Sequence, residues 1–334
     1  MVGWECRVPG SAHQPRHRAA RIEPRHQVPA WSSLERARAI AMPFVSRSGS
    51  RLSRRSGRFQ VDRRNGLTQA SVMPATAKFA AFAEDLAKVA RRETLHRWEE
   101  AVVADDKGGA AYDPVTDADR EAERAIREVI AEHYPDHGVR GEEWPERPGT
   151  SSFSWSLDPV DGTRSFICRL PTWVTLIGLL QDERPVLGLI DAPCLDEVYL
   201  GYGDEAWMVS KGERGPIRVS GCSALADARL STTDPFLFED GALKAFDRLR
   251  QSVRTTRFGH DGYAYARLAA GSLDLVIESG LKPHDYNALI PIVRGAGGII
   301  GDWRGGEDFA RGKVIAAASQ ELYDEAVGAF EIFA

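Results

Sequence analysis

The sequence has few cysteines, no long apolar run and no evident internal repeat. Its four cysteines among 334 residues form no CxxC pair and are too sparse for a disulfide framework, so we expect a reducing, cytoplasmic setting. No apolar run approaches the roughly 20 residues of a membrane span. With 43% apolar and 27% charged residues, the composition is typical of a globular protein with one large core or two coupled ones.

Lysine is absent from residues 1–72, which contain 14 arginines and only four acidic residues. This segment shows no sustained periodicity, and its Arg-, Ser- and Pro-rich composition predicts disorder. It could be an organelle transit peptide, a basic arm that touches nucleic acid or an acidic partner, or translated upstream sequence ahead of a start at Met73. We favour the last, because Arg without Lys is typical of translated GC-rich sequence.

The remaining residues, 73–334, carry 29 basic and 44 acidic side chains. An acidic surface repels nucleic acid, so we expect no nucleic-acid partner and no membrane partner for this part. An abundance of carboxylates instead suits a protein that handles metal cations.

Periodicity divides this part into two halves. Helical spacing predicts amphipathic helices from Lys78 to about Val103 and across "VTDADREAERAIREVIAEHYP". Alternation then predicts a strand that ends at Asp158, paired strands in "WVTLIGLL" and "PVLGLIDA", a hairpin turning at Gly203–Asp204, and a further strand in "IRVS".

From about residue 221 onward, helices alternate with strands. We therefore predict an N-terminal α+β half, residues 73–220, and a C-terminal α/β half, residues 221–334. In the second half, "DYNALIPIVRGAG" predicts one helix, although Pro291 inside it should kink the helix or cost about 3 kcal/mol.

The stretch "WSLDPVDGTRSF" places two aspartates three residues apart. Asp158, Asp161 and the Val160 carbonyl between them offer hard oxygen ligands, which suit Mg²⁺ better than zinc. The amides of Gly162 and Thr163, if they open a helix, would face an anion. A turn with solvated aspartates also fits, because Asp-Pro and Asp-Gly pairs are common in turns.

Three further acidic positions each have a structural explanation. Glu142 stands beside Glu143 in the loop "GVRGEEW", and adjacent glutamates are usually surface residues. Asp119 follows Thr116 at the spacing of a helix capping box. Asp285 begins a predicted helix, whose dipole stabilises a carboxylate. Their shared capacity to bind metal is what makes the set informative.

The elements "PVTDAD", "GEEW", "WSLDPVDGTRSF" and "GLKPHDYNALIPIVRGAGG", in this order, resemble the inositol monophosphatase-like superfamily of Mg²⁺-dependent phosphatases. The resemblance covers roughly residues 78–330. It looks most like the histidinol-phosphatase branch, because inositol phosphatases typically carry Trp-Asp where this chain has His284-Asp285. The implied fold combines α+β and α/β in a layered α-β-α-β-α sandwich of the inositol monophosphatase / fructose bisphosphatase type.

The resemblance implies a set of metal ligands. A first Mg²⁺ would be held by Glu142, Asp158 and the Val160 carbonyl, and a second by Asp158, Asp161 and Asp285. Asp158 would then bridge two of the two or three Mg²⁺ ions expected in the active site, which would offset the repulsion between the clustered carboxylates.

The resemblance also implies catalytic roles. The attacking water would lie near Glu142 and Thr163, with Asp119 orienting the threonine. Phosphate would rest on the amides of Gly162 and Thr163, and no covalent phosphoenzyme is expected.

Substrate choice is expected to depend on the second half. Glu278 matches the position that contacts the polyol in inositol phosphatases, and a carboxylate there suits the ammonium of histidinol phosphate. Asp261 is a second candidate for substrate binding, although it could simply cap the following helix.

These implications predict a homodimeric metal-dependent phosphatase that hydrolyses a small-molecule phosphate ester, L-histidinol phosphate, in histidine biosynthesis. One alternative is an inositol-1-monophosphatase or a broad-specificity sugar-phosphate phosphatase. Another is a regulatory or nucleic-acid-binding protein in which the arginine-rich segment acts and the fold is a scaffold.

Overall fold

The computed structural model describes residues 73–100, 103–108, 114–239 and 241–334. The predictions for residues 1–72 fall outside the described residues. Within the described part, none of the helices combines the length and the apolar character needed to cross a membrane.

Two long helices open the described chain, α1 (Met73–Glu99) and α2 (Asp117–His133). Helix α1 begins and ends a few residues before its predicted bounds. The predicted capping box of α2 is confirmed, because Asp119 Oδ2 accepts a 2.9 Å hydrogen bond from the backbone N–H of Thr116, the N-cap residue.

The structure next contains a small hairpin and a seven-stranded sheet. In both, the strands lie side by side in the order in which they occur in the sequence. The hairpin pairs β1 (Ala104–Asp106) with β2 (Pro114–Thr116). The sheet contains β3 (Gly138–Gly141), β4 (Phe153–Asp161), β5 (Val174–Gln181), β6 (Arg184–Ala192), β7 (Glu197–Tyr202), β8 (Glu205–Ser210) and β9 (Glu213–Pro216). Only the pair β3–β4 is parallel, and the predicted strands from β4 to β8 and the hairpin between β7 and β8 are confirmed.

The prediction of a strand in "IRVS" was wrong. After β8 the chain reverses at Lys211–Gly212, where both residues have positive φ, so the return strand β9 begins at Glu213. Its pairing ends where Pro216 faces Trp207 in the register. The strand is therefore complete before Ile217, and an alternating pattern alone does not locate such a two-residue turn.

A second sheet has five strands in the spatial order β11-β10-β12-β14-β13. They are β10 (Arg229–Thr232), β11 (Thr255–Phe258), β12 (Leu275–Glu278), β13 (Ile299–Asp302) and β14 (Val314–Ala317). Strands β10, β12 and β14 were predicted. The two edge strands, β11 and β13, were missed.

The remaining helices complete five layers. They are α3 (Thr163–Ile167), α4 (Ala242–Ser252), α5 (Asp261–Ala269), α6 (Pro283–Tyr286), α7 (Leu289–Gly295) and α8 (Gln320–Phe330). Helices α1 and α2 pack on the outer face of the seven-stranded sheet, α5 and α7 pack between the sheets, and α4 and α8 cover the five-stranded sheet. The predicted α-β-α-β-α sandwich is confirmed.

The single helix predicted around Pro291 is in fact two. Helix α6 ends at Tyr286 and α7 begins at Leu289. Pro291 is thus the third residue of α7, where a backbone N–H would have no acceptor within the helix. The proline removes no helical hydrogen bond there, so the expected cost does not arise.

Candidate active site

A bulge at the end of β4 directs two aspartates to one place. In a regular strand, residues three apart point to opposite faces of the sheet. The register between β4 and β5 shifts between Asp158 and Asp161, and such an irregularity re-aims side chains. Gly162 follows with φ of 83° and opens α3, so the condition set for the Gly162 and Thr163 amides, that they open a helix, is met.

The structure gathers four of the predicted acidic ligands into two groups that share Asp158. One group is Glu142, Asp158 and His284, and the other is Asp158, Asp161 and Asp285; within each group the potential ligand atoms lie within 4.8 Å of one another. The acidic side chains come from a loop, from β4 and from α6, so only the fold brings them together. Grouped carboxylates of this kind can hold a metal ion.

The electrostatics of these groups favour a bound cation. Burial, and then the charges of Glu142, Asp161 and Asp285, raise the pKa of Asp158 well above the ordinary value. Burial and neighbouring carboxylates act on Asp161 in the same direction. Positive charge among these oxygen donors would relieve the repulsion, so the donor set fits a divalent metal ion.

Lys107 supplies a cation that the sequence analysis did not identify. Its ammonium lies 2.8 Å from Glu142 Oε1 and 2.5 Å from Glu143 Oε1. Although burial opposes the shift, His284 and Lys107 together lower the pKa of Glu142. No sequence spacing joins Lys107 to the two glutamates, and the contact exists only because β1 lies beside the loop after β3.

Thr163 and Asp119 lie where helix α2 meets the end of β4. The Thr163 hydroxyl donates a 3.1 Å hydrogen bond to the Val160 carbonyl, and Ala118 of α2 packs in one cluster with Val160. Oδ1 of Asp119 is buried with no hydrogen-bond partner among the described residues. Burial, opposed by hydrogen bonds from Thr116, raises the pKa of Asp119 to about 7.

A cavity with a volume of about 500 Å³ adjoins both acidic groups. Seven of the predicted site residues line it: Glu142, Asp161, Gly162, Thr163, Asp261, Glu278 and Asp285. Asp158, Val160 and Asp119 are instead buried in the protein next to it. The cavity therefore connects the candidate metal ligands with both candidate substrate-binding residues.

Glu278 lies at the end of β12 and is almost fully buried. Its Oε1 accepts hydrogen bonds of 2.7 Å from the Thr233 backbone N–H and 3.0 Å from the Thr233 hydroxyl, at the end of the neighbouring β10. Burial outweighs these contacts and raises the pKa of Glu278 to about 8. A cationic group in the cavity would favour its ionised form.

Asp261 begins α5 in a left-handed conformation, with φ of 45°, which is uncommon for a residue other than glycine. Its Oδ2 accepts a 3.4 Å hydrogen bond from the Ser165 hydroxyl, and burial raises its pKa to about 6. A Cβ at position 162 would lie only 2.8 Å from Asp261 Oδ2, so glycine is needed there for space as well as for its φ.

Several further residues line the cavity without having been predicted, among them Leu237, Tyr265 and Lys282. Tyr265 stands four residues after Asp261, so a helical pattern places both on one face of α5. The backbone N–H of Lys282 donates a 2.6 Å hydrogen bond to Asp285 Oδ2. Leu237 has no comparable signal in the sequence, because it belongs to a short turn after β10.

Comparisons with known proteins agree with this arrangement. The model of the "Inositol monophosphatase family" matches residues 75–332. The chain is 42% identical over 229 residues to the bifunctional phosphatase IMPL2, chloroplastic, of Arabidopsis thaliana, and the match covers 65% of each protein. It thus spans slightly less than two thirds of that relative's length.

Two other relatives extend the comparison. A histidinol-phosphatase of Chlorobaculum parvum is 34% identical over 214 residues, which cover 63% of this chain and 80% of that protein. A solved inositol monophosphatase from Zymomonas mobilis has 39% identity and a TM-score of 0.67, covering 77% of this chain and 99% of that one. The superfamily resemblance, with histidinol-phosphatases among the relatives, is confirmed, and the chain belongs to the inositol monophosphatase family.

Proposed function

We propose that this protein is a Mg²⁺-dependent phosphomonoesterase that hydrolyses L-histidinol phosphate to L-histidinol and phosphate. The observation that carries the proposal is the pair of acidic groups that share Asp158 beside one cavity. Metal dependence and phosphate-ester hydrolysis accord with the family to which the chain belongs. The substrate is the finer part of the proposal and has its own support.

In this proposal, Glu142, Asp158 and the Val160 carbonyl hold one Mg²⁺, and Asp158, Asp161 and Asp285 hold a second. All of these donors are oxygen atoms, which Mg²⁺ prefers. When bound, the ions supply positive charge that activates a water for attack and stabilises the oxygen that leaves.

The chain's own residues position the reaction. Glu142 and Thr163 orient the attacking water from the cavity wall. Asp119 would position Thr163 by accepting a hydrogen bond from its hydroxyl at the unpaired Oδ1, in place of the Val160 carbonyl that accepts it in this structure. The backbone N–H groups of Gly162 and Thr163 hold the phosphate oxygens at the start of α3, where fixed dipoles stabilise negative charge without reorganising.

Substrate recognition is assigned to two further carboxylates that line the cavity. Histidinol carries an ammonium group, and a charge-assisted hydrogen bond to Glu278 or Asp261 would hold it. The raised pKa of Glu278, about 8, supports this choice, because a cationic substrate offsets the cost of burying its negative charge. We infer a division of labour in which residues 73–220 supply most metal ligands and residues 221–334 supply substrate contacts.

Parallel assays test the proposal. Purified protein is incubated with L-histidinol phosphate, inositol 1-phosphate and 4-nitrophenyl phosphate, in Mg²⁺ and in excess EDTA, and phosphate release is measured. We expect kcat/KM to be highest for histidinol phosphate and activity to disappear in EDTA. No Mg²⁺-dependent hydrolysis of any ester would refute the phosphatase function.

The second candidate is an inositol-1-monophosphatase or a broad-specificity sugar-phosphate phosphatase. It is supported by the Zymomonas mobilis structure, described as an inositol monophosphatase, which the chain resembles over most of its fold. A large kcat/KM preference for inositol 1-phosphate would favour it over the histidinol-phosphatase function. We also propose a homodimer, which light scattering on the purified protein would test.

A further inference from the structure

The hydroxyl of Tyr265 is a buried donor without a partner. Tyr265 is 1% exposed, it lines the cavity, and its hydroxyl has no hydrogen-bond partner among the described residues. Buried polar atoms in folded proteins are nearly always paired, because an unpaired one loses its hydration without compensation. Phenylalanine would fill the same space without that loss, so the hydroxyl points to a bound partner.

This distinguishes Tyr265 from the other unpaired polar atoms in the described part of the chain. Those belong to Trp98, Asp119, Arg147, Trp173 and Trp303. None of these five residues lines the cavity. Of these six residues, Tyr265 is therefore the one that borders the space a ligand would enter.

The charges around Tyr265 come from both ends of the site. After burial, the strongest influences on its hydroxyl are the carboxylates of Glu278, Asp161 and Asp285, and together they raise its pKa well above the ordinary value. The hydroxyl is therefore protonated and can donate. Asp161 and Asp285 belong to the proposed metal end, whereas Glu278 belongs to the proposed alcohol end.

We propose that the Tyr265 hydroxyl donates a hydrogen bond to the ester oxygen that joins the phosphoryl group to the alcohol of the substrate. In a bound phosphate ester, this oxygen lies between the two ends of the site that Tyr265 faces. The inference rests on the proposed phosphatase function and names a contact to the leaving group, whichever alcohol that is.

The contact would act on bond cleavage. During hydrolysis the water oxygen bonds to phosphorus, the bond from phosphorus to the ester oxygen breaks, and its electron pair stays on the ester oxygen. The departing alcohol gains one proton, which balances the proton released by the attacking water. Tyr265 keeps its own proton, and its hydrogen bond strengthens as negative charge grows on the leaving oxygen.

Tyr265→Phe tests this contact with two kinds of ester. With an alkyl ester that the wild type turns over, such as histidinol phosphate or 2-glycerophosphate, we expect kcat to fall about tenfold with little change in KM. With 4-nitrophenyl phosphate we expect kcat to change by less than about twofold, because its weakly basic leaving group needs little stabilisation. The melting temperature should not fall, since the variant removes an unpaired buried hydroxyl.

Tyr263→Phe is the matched control on the same helix. The Tyr263 hydroxyl donates a 3.0 Å hydrogen bond to Glu197 Oε2, and its side chain does not line the cavity. Kinetics with both esters should match those of the wild type. This control separates loss of a hydroxyl in α5 from loss of the contact to substrate.

Two results with Tyr265→Phe would overturn the inference. Equal losses with alkyl and aryl esters would indicate a structural role, and unchanged rates with both would indicate that the hydroxyl binds only water. Failure of the proposed function itself is distinguishable, because the wild type would then hydrolyse neither ester in Mg²⁺.

Discussion

Asp158→Asn should remove metal binding from both ligand groups, because both contain this side chain. Asp161→Asn is the informative comparison, since it takes a carboxylate from one group and leaves Glu142, Asp158 and His284 intact. The two variants exchange the same atoms in the same strand. For metal binding, they differ in whether one or two groups lose a ligand.

The expected change in Tm follows from the free energy of metal binding, which adds to the stability of the folded state. An ion at about 100 times its Kd stabilises the folded state by about 2.7 kcal/mol per site, and each kcal/mol raises Tm by about 2–4 °C in a domain of this size. Wild-type protein with two sites should therefore melt about 10–20 °C higher in Mg²⁺ than in EDTA. Asp161→Asn should retain about half of this shift, and Asp158→Asn almost none.

Without metal, the order of stability should reverse. Asp158 is 2% exposed, and after burial the charges of Glu142, Asp161 and Asp285 raise its pKa. An uncharged amide removes this repulsion, so in EDTA at neutral pH the variant Asp158→Asn should melt above the wild type.

Calorimetry in Mg²⁺ and in EDTA, titration calorimetry with Mn²⁺ and phosphate-release assays measure these effects. Asp247→Asn is the control, because this exposed carboxylate on α4 pairs with its helix neighbours Arg250 and Gln251, far from both ligand groups in the sequence, and should behave as wild type. Wild-type Mg²⁺ stabilisation or turnover in Asp158→Asn would refute the shared-ligand reasoning.

Three further predictions concern other parts of the protein. Glu278→Gln should change the ratio of kcat/KM between histidinol phosphate and inositol 1-phosphate but leave 4-nitrophenyl phosphate hydrolysis largely intact; equal loss with all three esters would contradict the assigned role. Gly162→Ala should lower the free energy of unfolding by at least about 1 kcal/mol, because φ is 83° and the new Cβ would lie 2.8 Å from Asp261 Oδ2; denaturant titration measures this loss. Although burial opposes the shift, hydrogen bonds from Arg229 and Ser220 lower the pKa of Asp274 in the folded protein. The ionised side chain therefore stabilises the fold at every pH above its unfolded-state pKa of about 4. This stabilisation is lost as the pH falls through the lower folded-state pKa. Acid unfolding followed by circular dichroism should therefore show a smaller decline in stability for Asp274→Asn, and an unchanged decline would count against that contact.

Features of the candidate site that depend on neighbouring residues could be predicted from the sequence. The spacing of Thr116 and Asp119 predicted a helix start, and "DPVDGT" indicated a strand end followed by a turn or a helix start. Both patterns involve hydrogen bonds or φ preferences within a few residues, so they need no information about the rest of the fold. Recognition of the family also depended on these short motifs.

Features that depend on contacts between distant segments were missed or misjudged. The hydrogen-bond register shift that re-aims Asp158 and Asp161 depends on how β4 pairs with β5. The Lys107 contact with Glu142 joins segments 35 residues apart. The interruption between α6 and α7 lies where Ala288 packs closely against Gly188 of β6, a constraint that helical periodicity does not contain.

By itself, the sequence determined the residue types: oxygen donors suited to a hard cation, glycine where a turn requires positive φ, and the local signals that begin and end helices. Only the tertiary structure decided which of these donors meet, how deeply each is buried and which hydroxyl in the cavity lacks a partner. The physical reason is that burial and charge repulsion depend on distances through space, and strand pairing and helix packing set those distances.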